Sequence, residues 1–223
     1  MRKCLARAGR KAKTLPMADM GAFREAVTAW SATGSEGRGD LARELAARLP
    51  VRSAVLLEGL SDAAAVDALA ARRGRDLAAE GVCVLPMGGA TNVGRFARLL
   101  GPAGLGLRLT GLCDAGERRY YDRALEHAGA AGDVFVCAAD LEDELIRALG
   151  VPRVCELVRA QGEERPLQTF LHQPAQQGRP APEQLRRFLG TKSGRKIHYG
   201  RVLVEALDPD RTPAPLDLLL AHV

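Results

Sequence analysis

Along the first fifty residues apolar positions recur at helical spacing. Residues 20–32 and 39–49 read as two amphipathic helices, the second placing Leu41, Leu45 and Leu49 on one face. The small and polar stretch Ser31 to Gly37 between them reads as a loop, and Pro50 closes the second helix. The pattern then changes. Short apolar runs, Ala54–Leu57, Val82–Leu85, a segment within Leu105–Cys113 and Val134–Cys137, alternate with helical stretches at 62–73, 91–100, 117–127 and 141–149. Runs with no polar alternation imply strands buried on both faces, and strands alternating with helices imply βαβ units. The expected fold is therefore α/β: a doubly wound, four-stranded, mainly parallel sheet with helices on both faces, plus N-terminal and C-terminal helices. After residue 150 the strand signal stops. Residues 151–161, 184–189 and 197–207 read as helices, 173–182 as a polar loop, and 216–223 as a short apolar stretch packing back.

Composition narrows this picture without changing it. The chain has 223 residues, enough for one sizeable core, and its net charge of +5 resembles a nucleic-acid signal. The excess is local, however. Residues 1–16 hold Arg2, Lys3, Arg7, Arg10, Lys11 and Lys13 and no acid, and the remainder carries 26 basic against 27 acidic residues. Affinity for nucleic acid must then come from a patch or from that tail. The tail reads either as a disordered arm or as the product of an upstream start codon, with Met17 or Met20 the functional start. Five cysteines show no C-x-x-C spacing, and three lie within the apolar strand runs. They read as small buried residues in a reducing cytoplasm. No apolar run approaches the ~18 residues of a membrane span, and no apolar region follows the basic N-terminus as in a secretory signal.

In open parallel sheets functional side chains gather at the carboxyl ends of the strands. Here the first strand runs into Glu58-Gly59-Leu60-Ser61-Asp62, the second into Gly88-Gly89, the third into Asp114, and the fourth is followed by Asp140-Leu141-Glu142-Asp143-Glu144. Converging carboxylates repel unless a cation sits among them, and hard oxygen ligands favour Mg²⁺ or Mn²⁺. Each element also has an ordinary reading. Asp62 suits a first helical turn, Gly88-Gly89 suits a plain turn, and Asp140 suits a helix cap. A second signal lies at Gly190-Thr191-Lys192-Ser193-Gly194-Arg195-Lys196, which holds the only lysines outside the N-terminal tail. In a chain that otherwise uses Arg, these flexible point charges suggest a phosphate contact, against the plainer reading of a solvated basic loop. The spacing is not that of a Walker A loop.

These residues resemble the TOPRIM domain, found in topoisomerases, DnaG-type primases, RNase M5-type nucleases and the OLD (overcoming lysogenisation defect) nucleases. The run Asp140 to Leu145 and the lysine loop look specifically like the OLD-family version. The resemblance covers roughly residues 51–207 and implies a TOPRIM-type sheet and metal-dependent phosphodiester chemistry on DNA or RNA at two Mg²⁺ or Mn²⁺ sites. It implies Glu58 as ligand or general acid/base, with Asp62, Asp114, Glu142 and either Asp140 or Glu144 as further ligands. Lys192 or Lys196 would stabilise charge at the scissile phosphate. Arg186, Arg187, Lys192, Arg195, Lys196 and Arg201 would meet nucleic acid, and Gly59, Gly88 and Gly89 would shape the loops. The chain departs from the family at its D-x-D motif, which reads Asp114-Ala115-Gly116, so the alternative is a weakened TOPRIM used for binding or regulation. The expected organisation is a tail at 1–16, helices at 17–50, a TOPRIM core at 51–150 and a helical extension at 151–223. An ATPase partner encoded separately, and a homodimer built on helices 20–49, stay open as partners; the expected location is cytoplasmic, with no membrane.

Overall fold

A computed structural model describes residues 16–223. The basic tail falls outside them except for Pro16, and so does Cys4. The four expected strands form: β1 (Ser53–Leu57), β2 (Val82–Pro86), β3 (Arg108–Asp114) and β4 (Gly132–Cys137). All pair in parallel, in the order β2-β1-β3-β4. The absence of polar alternation is explained by helices on both faces. Val55, Leu57, Val84 and Leu112 point into one apolar cluster, while Ala54, Leu56, Cys83 and Leu109 point into the other.

Between the strands run α3 (Leu60–Arg72), α4 (Val93–Leu100) and α5 (Arg118–His127), followed by α6 (Leu141–Leu149). One face of the sheet is covered by α3 and α6, joined by α7 (Val151–Ala160), α8 (Glu164–Leu171), α9 (Ala181–Leu189), α10 (Ser193–Glu205) and α11 (Ala214–His222). The other is covered by α4 and α5 with α1 (Pro16–Thr33) and α2 (Glu36–Arg48).

Two expectations for the N-terminal helices are corrected. The loop is only Gly34-Ser35: Gly34, at φ 64°, ends α1, and α2 begins at Glu36. The inward face of α2 carries Gly39 and Ala42, with Leu45 and Leu49 packed against the same cluster, while Leu41 is exposed. The cause is Trp30. Its indole lies where a Gly39 Cβ would stand, 2.7 Å from Cε2, so the helix rotates its smallest residues toward it. Helix α8 lies in a stretch where no helix is expected from sequence, since only Leu167 is buried along it. The described cysteines, Cys83, Cys113, Cys137 and Cys155, are free, and the first three are buried. Among the described residues no helix is long and apolar enough to cross a membrane.

Candidate metal centre

Strands β1 and β3 lie side by side, and the chain leaves them toward opposite edges of the sheet. That is the point at which a doubly wound sheet opens a crevice. Glu58 follows β1 there and Asp114 ends β3. Asp62 is turned toward them by its own helix start: the Gly59 amide donates to Asp62 Oδ2 at 2.9 Å. The loop after β2 is tied to the same place, the Gly89 amide donating to the Glu58 carbonyl at 2.9 Å. Gly88 and Gly89 have φ of 74° and 127°, conformations in which a side chain would be strained. Gly59, at φ −142°, is under no such demand.

Glu58, Asp114 and Glu117 each present a carboxylate oxygen within 4.8 Å of the other two. Glu117 is absent from the ligand set read from sequence. The structure supplies it through a turn: its amide donates to the Asp114 carbonyl at 2.9 Å, folding the chain back just before α5. A turn brings the first and fourth residues together, whereas D-x-D spacing searches only the third. Glu117 Oε2 is buried with no hydrogen-bond partner. Burial, then the neighbouring carboxylates of Glu58, Asp114 and Asp62, push its pKa up to about 7. Asp114 also rises to about 7, by burial first and then by Asp140, Glu58 and Asp62. Burial raises Asp62 as well, against the opposing pull of the Gly59 amide and Lys196. Carboxyls crowded in this way either hold protons or gather around a cation. The orphaned oxygen facing two further carboxylates fits a hard divalent ion.

The acidic run on α6 divides by role. Asp140 caps the helix, its Oδ1 accepting from the Asp143 amide at 2.8 Å and its Oδ2 from Arg186 Nε at 2.5 Å. Glu144 Oε1 accepts from the Ala138 amide at 2.8 Å, and its Oε2 pairs with Arg147 at 2.7 Å. Both are engaged by the fold. Glu142, buried, faces Lys196, whose Nζ lies 3.2 Å from Oε2. Burial raises Glu142 to about 7 despite that lysine.

Lys196 arrives on α10, held by α3 at two points. A Cβ at Gly200 would lie 2.6 Å from the Ser61 carbonyl oxygen, so the helices cross in close backbone contact. At the far end Arg72 donates to the carbonyls of Val204 and Leu207. Lys196, one turn before Gly200, therefore overhangs the start of α3. It lines a cleft of about 350 Å³ with Glu58, Asp62, Gly88, Gly89 and Ser193. Burial opposes its charge, but Glu142, Asp62 and Asp140 outweigh this and raise its pKa.

The other expected cationic contacts separate. Lys192 and Arg187 are exposed. Arg201 pairs with Glu205 at 2.6 Å and Arg186 with Asp140. The Arg195 side chain is only 8% exposed. It is fixed to both oxygens of Glu163 and stacked 4.2 Å over Phe188, which makes it a strut for the lysine turn and not a surface contact.

The family model described as "Overcoming lysogenization defect protein-like, TOPRIM domain" matches residues 51–115. The chain carries an OLD-like TOPRIM domain. Solved structures share its fold. The C-terminal region of the Xanthomonas campestris pv. campestris OLD protein is 25% identical with a TM-score of 0.59, covering 78% of this chain and 92% of that one. The C-terminal region of the Burkholderia pseudomallei OLD protein is 21% identical with a TM-score of 0.57, covering 77% and 96%. No curated protein matches the chain. At family level the OLD-like TOPRIM domain is a metal-dependent module that acts on nucleic acid. The matched segment stops at Ala115. Glu117, Glu142 and Lys196 lie beyond it and join the TOPRIM acids through the fold.

Proposed function

We propose that the chain hydrolyses phosphodiester bonds of DNA or RNA with Mg²⁺ or Mn²⁺. The observation that carries this reading is the Glu58–Asp114–Glu117 cluster with Lys196 held above it. Glu58, Asp114 and Glu117 would hold one ion, and Asp62 with Glu142 would serve a second. Bound ions of this kind activate water and neutralise the charge developing on phosphorus. The chain's own residues do the rest. Lys196 Nζ donates to a non-bridging phosphate oxygen and is kept on station by Glu142 until substrate arrives. Glu58, grouped with Asp114 and Glu117, is placed to take or return a proton. Lys192, exposed at the mouth of the same turn, meets the adjoining phosphate. An anionic strand cannot approach so many carboxylates unaided, so binding and catalysis both depend on the cations.

Plasmid and structured RNA incubated with each ion test this directly. Wild type should cut at least one of them, and Glu58→Ala or Lys196→Ala should lower the rate by about 10²–10³-fold. No cleavage by wild type, or equal cleavage by Glu58→Ala, overturns the reading. Gly116, standing where the family motif has its second Asp, favours the alternative of a binding or regulatory module. Submicromolar binding of two Mn²⁺ per chain, measured by calorimetry, would argue against that alternative.

A further inference from the structure

The cleft at the metal centre has two kinds of lining. Glu58, Asp62 and Lys196 are enough to hold ions and a phosphate. Leu60 and Ile197 line the same cleft, as do Gly88 and Gly89. Leu60 is 59% exposed, and neither Leu60 nor Ile197 belongs to either apolar cluster of the fold. A single exposed leucine on a surface is ordinary. Two apolar side chains that pack into no core and line a charged cleft call for something to lie against them. The glycines leave the cleft open: a Cβ at Gly89 would meet nothing within 4 Å, and one at Gly88 only Asn92 at 4.0 Å.

We infer that Leu60 and Ile197 receive the sugar and base of the nucleotide joined to the cleaved phosphate, and that the base must be unpaired to enter. The inference rests on the phosphodiesterase reading of the same cleft. A base inside a duplex is stacked on both faces and cannot offer one to Leu60. Reaching it requires unstacking, which costs least where the strand is single, looped or mismatched. The substrate class is thus nucleic acid with an unpaired nucleotide at the cut, and Leu60 is its specificity-determining residue.

The test uses a single-stranded oligonucleotide cleaved in Mn²⁺, with an abasic residue substituted at each position in turn, against wild type, Leu60→Ser and Leu60→Met. In wild type, removal of one base beside the cut should lower kcat/KM about tenfold, equivalent to ~1.4 kcal/mol. Leu60→Ser should lose that sensitivity and Leu60→Met should keep it. Wild type should also prefer single strand over the matched duplex, and Leu60→Ser should narrow the preference. The same abasic penalty in Leu60→Ser, or a duplex cut as fast as single strand by wild type, overturns the inference while leaving the phosphodiesterase reading intact. Failure of wild type to cut any nucleic acid overturns both. Because Leu60 is mostly exposed, its variants should melt with wild type, so a lost abasic effect reports on the cleft and not on folding.

Discussion

One oxygen of the Glu117 carboxylate is buried without a partner, three residues beyond Asp114. In the family's D-x-D pattern the second acid stands at the position of Gly116, and there a Cβ would meet nothing within 4 Å. Two consequences are testable together by titration calorimetry. Glu117→Gln should weaken Mn²⁺ binding by roughly 10–100-fold, and adding Gly116→Asp should recover part of the loss. Unchanged affinity in Glu117→Gln would remove it from the ligand set. The raised pKa values make a second prediction. Asp114, Glu117 and Glu142 lie at about 7 in the folded chain. A carboxyl raised on folding favours the folded state fully below its unfolded value near ~4, and that advantage is lost as pH climbs through the folded value. Metal-free protein should therefore melt lower at about pH 8 than at about pH 5.5, and Mn²⁺ should raise the melting temperature more at the higher pH. Calorimetry showing the opposite order would contradict the crowding of these groups. At this scale the sequence was legible where an acid sits on a strand end, as Glu58 and Asp114 do. It was not legible for Glu117, which a turn delivers, nor for Arg195, whose burial under Glu163 and Phe188 depends on α8, a helix with a single buried residue.

Among the elements, α3 and α10 decide the site. Their contact at Ser61 and Gly200 leaves no room for a methyl group. Gly200→Ala should cost about 1–3 kcal/mol in urea unfolding. By lifting α10 it should also depress cleavage further than that loss of stability explains. A variant as stable and active as wild type would show that the crossing is not fixed at this point. The strands were readable because both their faces are buried, so apolar residues run unbroken. The pairing of α3 with α10 was not, since nothing local in Ser61 or Gly200 announces a partner so distant along the chain. The turn of α2 was hidden for the same reason: Trp30 selects Gly39 and Ala42 over Leu41, while Leu45 and Leu49 still pack inward.

For the molecule as a whole, the charge distribution sets how it should respond to salt. Beyond residues 1–16 the chain is nearly neutral, and many of its arginines are committed to internal pairs, Arg186, Arg195 and Arg201 among them. If the phosphate contacts are Lys192 and Arg187, both exposed, the slope of log affinity for duplex against log salt should be about −2. A slope near about −6 in the full chain, falling when residues 1–16 are removed, would assign the electrostatic attraction to the tail.

The crossing of α3 and α10 also bears on the order in which the centre is built. Domains are synthesised from the N-terminus, at about 5–20 residues per second. The strands, Glu58, Asp114 and Glu117 have all been synthesised while the lysine of α10 has yet to be translated. A nascent chain would then hold an acid pocket that repels nucleic acid, including the message and ribosomal RNA around it. Only when residues 193–205 fold down on α3 does that pocket gain its resident cation, so cutting by the proposed mechanism would be a late event in synthesis.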